Sequence, residues 1–464
     1  MAHTSLQQAW LNLAPGALEP MIADHLVIPE MLKLFGFTFQ RGEIVKEYPT
    51  GLGAQKVDIA ARKNNGIDNF SHSLKAPSLI VELKRRSKNI SPNTAEYLSL
   101  VRQLKGYLDP EAINCSQAKW GIITNADRIQ LFRRHGKVIY PFTNNIELNA
   151  GNIDEKIYLL KDYIENNCNS LVIALYNNKG GVGKTTTTIN LASILSLPSA
   201  KGGFGKKVLV VDFDPNQKDL TEILGIKPGK VKLLDFLKDS NSKDYAIDDL
   251  ISPYPIKLKD GKWYRFFDVI PADEGFLEVP PSSLPSILYK GSLGKILSRV
   301  KNKYDYILID APPGSNYFTK EAIIASDVVL MPSKHNGLAS LNNAATAMKD
   351  ILPQLGQERR VYSPELADPT PLPIFFNGEQ MTPAQEKQAR EEINKIIDNV
   401  MQSDKIDLTP FFFPKKTEMV KNEEIFNLPN IAHISSAHFS RRPAALTNQL
   451  AFVAYKRFVE EYFI

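Results

Sequence analysis

Asn177-Asn-Lys-Gly-Gly-Val-Gly-Lys-Thr-Thr186 follows an apolar run, residues 171–176, and leads into a stretch of helical character, residues 185–195. Closely spaced glycines let successive backbone N–H groups turn inward around anion oxygens, and a helix starting there adds its positive dipole end. Gly180, Gly181, Val182 and Gly183 are therefore expected to cradle a phosphate chain. Lys184 would neutralise its outer phosphates, and the Thr185 hydroxyl, with Thr186 beside it, would help complete a Mg²⁺ shell. The strict G-x-x-x-x-G-K-[ST] spacing fails by one residue, because Asn178 stands where its first glycine should be. Around this loop, apolar runs at 171–176, 208–213, 268–270, 306–309, 328–331 and 373–376 alternate with helical segments. Runs apolar on both faces and separated by helices predict an α/β domain with a doubly wound, mostly parallel sheet.

The departure at Asn178 has its own pattern. Asn177 to Thr186 resembles the deviant Walker A motif of the ParA/MinD ATPases, in which an extra lysine, here Lys179, reaches across a nucleotide-sandwich dimer. Val208-Leu-Val-Val-Asp-Phe-Asp-Pro-Asn216 and Tyr304-Asp-Tyr-Ile-Leu-Ile-Asp-Ala-Pro-Pro-Gly314 resemble two further motifs of that family. The likeness extends over about residues 171–464. It implies ATP and Mg²⁺ as cofactors, an ATP-dependent homodimer, and a ParB-like or defence-system partner protein. It also implies that Asp214 orients the attacking water, Asp310 holds Mg²⁺ through water, Gly314 lies near the γ-phosphate, and Asn377 reads the adenine edge.

The first 150 residues are patterned differently. Strand-like runs at 56–61, 78–84, 119–124 and 129–133 surround a helical segment at 94–108, with Ser91-Pro92 as its expected start. They predict a mixed sheet with flanking helices. Asp58 lies on one such run, and Glu82-Leu-Lys84 on the next. Alternation along a strand puts Glu82 and Lys84 on one face. Carboxylates that hold a divalent metal, beside a cation that steadies developing charge, are what phosphodiester hydrolysis needs. Gln103 and Tyr107 add an i, i+4 pair on one helix face. Together with Trp120-Gly-Ile-Ile-Thr-Asn-Ala-Asp-Arg-Ile-Gln-Leu-Phe132, these residues resemble the restriction-endonuclease-like PD-(D/E)xK domain of type I restriction motor subunits. The proline that names the motif is missing before Asp58. The resemblance implies Mg²⁺ on Asp58 and Glu82, with Glu30 as a further ligand. It also implies DNA as the substrate.

The expected organisation is thus a nuclease-like domain at 1–150, a helix and linker at 151–170, and the P-loop domain at 171–464. Composition agrees with compact domains: 464 residues, 43% hydrophobic, 23% charged. No run approaches a membrane-spanning length, and Met1-Ala-His-Thr-Ser5 lacks a secretory layout, which predicts a cytoplasmic protein with no membrane partner. Cys115 and Cys168, the two cysteines, predict neither a disulfide framework nor a structural metal. The net charge of +5 leans toward polyanions. Lys84-Arg-Arg86 with Lys88, Arg133-Arg134, Lys415-Lys416 and Arg441-Arg442 are candidate contacts to a DNA backbone. Two functions compete at this point. One is an ATP-controlled, Mg²⁺-dependent DNA endonuclease in phage or plasmid defence; the other is a DNA segregation or positioning ATPase whose front domain binds without cutting.

Overall fold

The structure is a computed structural model that describes residues 3–66, 68–166, 169–238, 245–258, 260–280, 282–288, 291–334, 338–378, 381–417, 419–429 and 441–464. Cys168 lies outside them. The chain divides into two compact units: residues 1–167 with 365–367 and 463–464, and residues 168–364 with 368–462.

In the first unit, strands β1 (Ile44–Pro49), β2 (Lys56–Ala61), β3 (Leu79–Leu83), β4 (Trp120–Thr124), β5 (Arg128–His135) and β6 (Val138–Pro141) lie in sequence order, and β7 (Ile146–Glu147) pairs with β5. Every pairing is antiparallel except β3 with β4. That parallel pair needs a crossover, and the helix Ala95–Leu108 supplies it. Leu100, Leu104 and Leu108 of the helix are buried against Ile80, Ile123 and Phe132 of the sheet. Gly121 permits the approach, since an added Cβ would lie 2.9 Å from a Leu108 methyl. Thr94, not Ser91, caps the helix: its hydroxyl accepts the Tyr97 N–H at 3.3 Å. Asn93, in left-handed conformation at φ 67°, turns the chain just before it. The helix Ile153–Glu165, expected in a linker, belongs to this unit, where Lys156 pairs with Glu365 at 2.7 Å. Cys115 is buried, and burial pushes its thiol up to about 12.

The second unit holds β8 (Leu171–Leu175), β9 (Val208–Asp212), β10 (Ser252–Lys257), β11 (Trp263–Ile270), β12 (Tyr306–Asp310), β13 (Val328–Leu330), β14 (Pro332–Ser333), β15 (Thr370–Pro371), β16 (Phe375–Asn377) and β17 (Phe426–Leu428). Its main sheet runs β10-β11-β9-β12-β8-β13-β15, and only β10–β11 is antiparallel. β8, β9 and β12 are buried at every residue, as strands covered by helices on both faces must be. The run at 373–376 does not join this sheet. It forms β16 of a separate parallel sheet, between β14 and β17. The segment expected as one final helix is two, Ala444–Thr447 and Gln449–Tyr462, because Asn448 leaves helical geometry and caps the second with its side chain.

Candidate functional site

The loop between β8 and the helix Lys184–Ser196 has the geometry a phosphate chain requires. Gly181 and Gly183 sit at φ 71° and 86°, conformations open to glycine but costly for other residues. Lys179 is exposed and makes no ion pair among the described residues, while its backbone N–H is fixed by Asn177 Oδ1 at 2.9 Å. Asn177 itself is 2% exposed and donates to Pro332 O and Ser340 Oγ, which ties the loop to β14 and the helix beyond it.

Behind the loop stand the carboxylates. Lys184 is 7% exposed; burial lowers its pKa, while Asp310 and Asp214 oppose that shift. Asp310, at the end of β12, is driven upward mainly by burial and then by neighbouring Asp212. It is hydrogen-bonded to Thr185 but leaves Oδ1 without a partner. A buried orphan oxygen beside a hydroxyl suits a hydrated divalent ion. Asp214 accepts the Asn216 and Gln217 N–H groups at 3.1 Å, and Asp212 is held by Thr221 through its N–H at 2.9 Å and its hydroxyl at 2.6 Å. Burial raises Asp212 to about 6. Gly314, at φ 88°, lies close to Asn178, and Gly180 close to Pro313, so the loop after β12 borders the phosphate loop.

Asn377 is placed differently from expectation. Its amide nitrogen is spent on Val182 O at 2.9 Å and, more weakly, on Gly183 O and Thr187 Oγ1 at 3.4 Å, so this group braces the loop instead of facing a base edge. The contact leaves no space for a side chain at Gly183, where a Cβ would fall 2.2 Å from Asn377 Nδ2. Gly183→Ala should therefore destabilise the protein by about 2 kcal/mol or more, from left-handed strain and the lost brace. Urea unfolding of the variant measures this.

In the first unit, Asp58, Glu82, Lys84, Gln103 and Tyr107 come together. Asp58 Oδ2 accepts the Leu83 N–H at 2.6 Å, and Lys84 Nζ lies 3.7 Å from Glu82 Oε1. Gln103 donates to the Tyr107 hydroxyl at 2.8 Å. Burial, then the Asp58 charge, pushes Glu82 to about 8, and Lys84 pulls the other way. Burial also raises Asp58 and Tyr107, and Tyr107 feels both carboxylates. Glu82 Oε2 is buried without a partner. Two carboxylates with a free oxygen fit an ion completed by water and phosphate rather than an all-protein cage. Among the described residues, no three His, Cys, Asp or Glu side chains are gathered to hold a metal by themselves.

Glu30 is not part of such a group: its carboxylate accepts the Ser5 hydroxyl at 2.7 Å. Glu19 and Glu47 are instead close enough for their charges to raise Asp58, and neither was expected. Pro20 after Glu19 marked only a helix start, and the Lys46-Glu47 pair resembled solvated surface. Several basic candidates are already committed. Arg86 bonds Asp127 and the Trp10 and Leu13 carbonyls, Arg133 is buried over Trp120, and Arg134 donates to Ser116 O and Gly136 O. Lys88, Lys415 and Lys416 pair with Glu96, Glu461 and Glu423. Arg442 donates to Lys257 O.

A glycine loop opening onto a helix at the end of a parallel strand, with Asp310 and Asp214 at neighbouring strand ends, defines a P-loop ATPase. Residues 170–355 match the family model described as an AAA domain. The sporulation initiation inhibitor protein Soj of Bacillus subtilis (strain 168) is 37% identical over 163 residues, which cover 35% of this chain and 57% of Soj. The chromosome partitioning protein ParA of Myxococcus xanthus (strain DK1622) is 32% identical over 193 residues, 40% of this chain and 62% of that protein. An uncharacterized protein of Pseudomonas putida is 31% identical over 208 residues, 42% of this chain and 72% of its own length. Through its C-terminal part, the chain belongs to the ParA/MinD-type P-loop ATPases. Among the described residues, no helix is long and apolar enough to cross a membrane.

Proposed function

We propose that this chain is an ATP- and Mg²⁺-dependent ATPase whose ATP-bound form is a homodimer, and that it partitions or positions DNA-associated cargo in the cytoplasm with a ParB-like or defence partner. The observation that carries the reading is buried Lys184 held among Asp310 and Asp214 behind a glycine loop, with the partnerless Asp310 Oδ1 beside Thr185. Bound Mg²⁺ would draw charge from the phosphate oxygens. Thr185 and Asp310 would hold it, Gly180 to Gly183 with Thr186 would orient the triphosphate, and Asp214 would position water. Lys179, exposed on a braced backbone, is free to reach a partner subunit. Lys179→Ala should leave ATP affinity within about threefold while abolishing the ATP-induced shift to dimer mass in light scattering, because only the contact across the dimer is lost. A variant that still dimerises with ATP would refute this role.

A second reading adds DNA cleavage by the first unit. The convergence of Asp58, Glu82, Lys84, Gln103 and Tyr107 favours it. Asp58 and Glu82 would hold a Mg²⁺ that polarises the phosphodiester, Lys84 would assist the nucleophile, and ATP-driven dimerisation would set when cutting occurs, as a restriction or phage-defence effector requires. Incubation of supercoiled plasmid with Mg²⁺ under no nucleotide, ADP, ATP and a nonhydrolysable analogue separates the two readings. Plasmid left intact in every arm leaves the positioning ATPase alone.

A further inference from the structure

We propose that Glu47 is a third carboxylate of the cation site of the first unit, completing with Asp58 and Glu82 a cradle for a divalent metal; this rests on the cleavage reading of that unit. Strand register places the three in one row. β1 and β2 pair Lys46 with Ile59 and Tyr48 with Val57, which sets Glu47 opposite Asp58. β2 and β3 pair Ile59 with Val81, so one step along sets Asp58 opposite Glu82. Directly opposed residues of antiparallel neighbours share a face, and adjacent strands lie about 4.8 Å apart. Three acids thus cross three adjacent strands on one line, where like charges repel unless a cation binds among them.

Two further observations point to a ligand. Glu82, 3% exposed, keeps Oε2 without a hydrogen-bond partner. Native proteins rarely leave such an oxygen buried unless an ion or water meets it. Glu47, for its part, makes no ion pair among the described residues, although its neighbour Lys46 pairs with Asp24. Its backbone is held at φ 51°, and it is the one described non-glycine residue with positive φ that lies inside a strand. An acidic side chain kept in a strained conformation opposite two other acids is a cost to the metal-free fold, and such strain collects where a site needs a fixed geometry.

Mn²⁺ titration of the full chain without nucleotide, with free Mn²⁺ followed by electron paramagnetic resonance, tests the proposal. Saturable binding is expected in the unaltered protein and its loss in Glu82→Gln. Glu47→Gln should weaken it about tenfold or more. Glu47→Gly should weaken Mn²⁺ binding as strongly yet raise the melting temperature, because glycine accepts φ 51° without strain. That pairing separates a ligand from a merely structural residue. Glu47→Gln binding Mn²⁺ within twofold of the unaltered protein, while Glu82→Gln does not bind, would overturn the role of Glu47 and leave the cleavage reading standing. Absence of saturable binding in the unaltered protein would overturn both.

Discussion

Lys184→Ala is expected to lower ATP turnover about 100- to 1,000-fold while the protein remains folded. Lys184 sits behind the loop at 7% exposure, and burial already lowers its pKa, so the fold gains little from this charge on its own. What the charge does is oppose the buried carboxylates of Asp310 and Asp214. Alanine removes the cation nearest Asp310 and lets burial drive that carboxyl higher still. At neutral pH more of it would be protonated and unable to serve a Mg²⁺ shell. Residual turnover should therefore recover partly as pH rises, a trend the unaltered enzyme would show more weakly. Phosphate release between pH 6.5 and 9, with circular dichroism to confirm folding, measures both effects. Turnover within about threefold of the unaltered protein would place the chemistry elsewhere. The contrast with Lys179→Ala is sharp, since that variant should keep its nucleotide and lose only its partner.

The parts of this protein that could be read from its residues are those where one physical demand dominates. β8, β9 and β12 are fully buried, so their runs are apolar at every position, and the phosphate loop needs its glycines in order. Asp58 and Glu82 stood out because acids on otherwise apolar strands are expensive to bury. Features set by tertiary partners were hidden. Nothing near Asn377 announces that its amide will be consumed by Val182 O, 195 positions away in sequence. The run at 373–376 has the apolar character of a main-sheet strand, yet it pairs with β14 and β17. β1 is an edge strand whose Lys46-Glu47 pair interrupts alternation, so neither the strand nor the row of acids across it was visible. At the C-terminal end, Asn448 within an otherwise helical pattern marks a break that periodicity alone carries straight through.

Glu82→Gln should abolish both divalent-ion binding by the first unit and any plasmid cleavage, the latter by at least about 100-fold. The pH dependence gives the stronger test. Burial and the Asp58 charge hold Glu82 near 8, far above the usual carboxylate range, so at pH 7 the metal-free protein carries it mostly protonated. Metal binding must then expel that proton, and affinity should rise about tenfold per pH unit up to about 8 and level off above it. The stability of the metal-free protein runs the other way. A carboxyl raised on folding contributes fully below its unfolded value, and this contribution is lost as pH climbs through the folded value. Between pH 5 and 8.5 the melting temperature without metal should accordingly fall, while the gain in melting temperature from added Mn²⁺ should grow. Glutamine cannot titrate, so Glu82→Gln should flatten both slopes at once. Parallel slopes in the variant and the unaltered chain would mean that the titrating group lies elsewhere, and that the orphan oxygen of Glu82 is not where the ion is held.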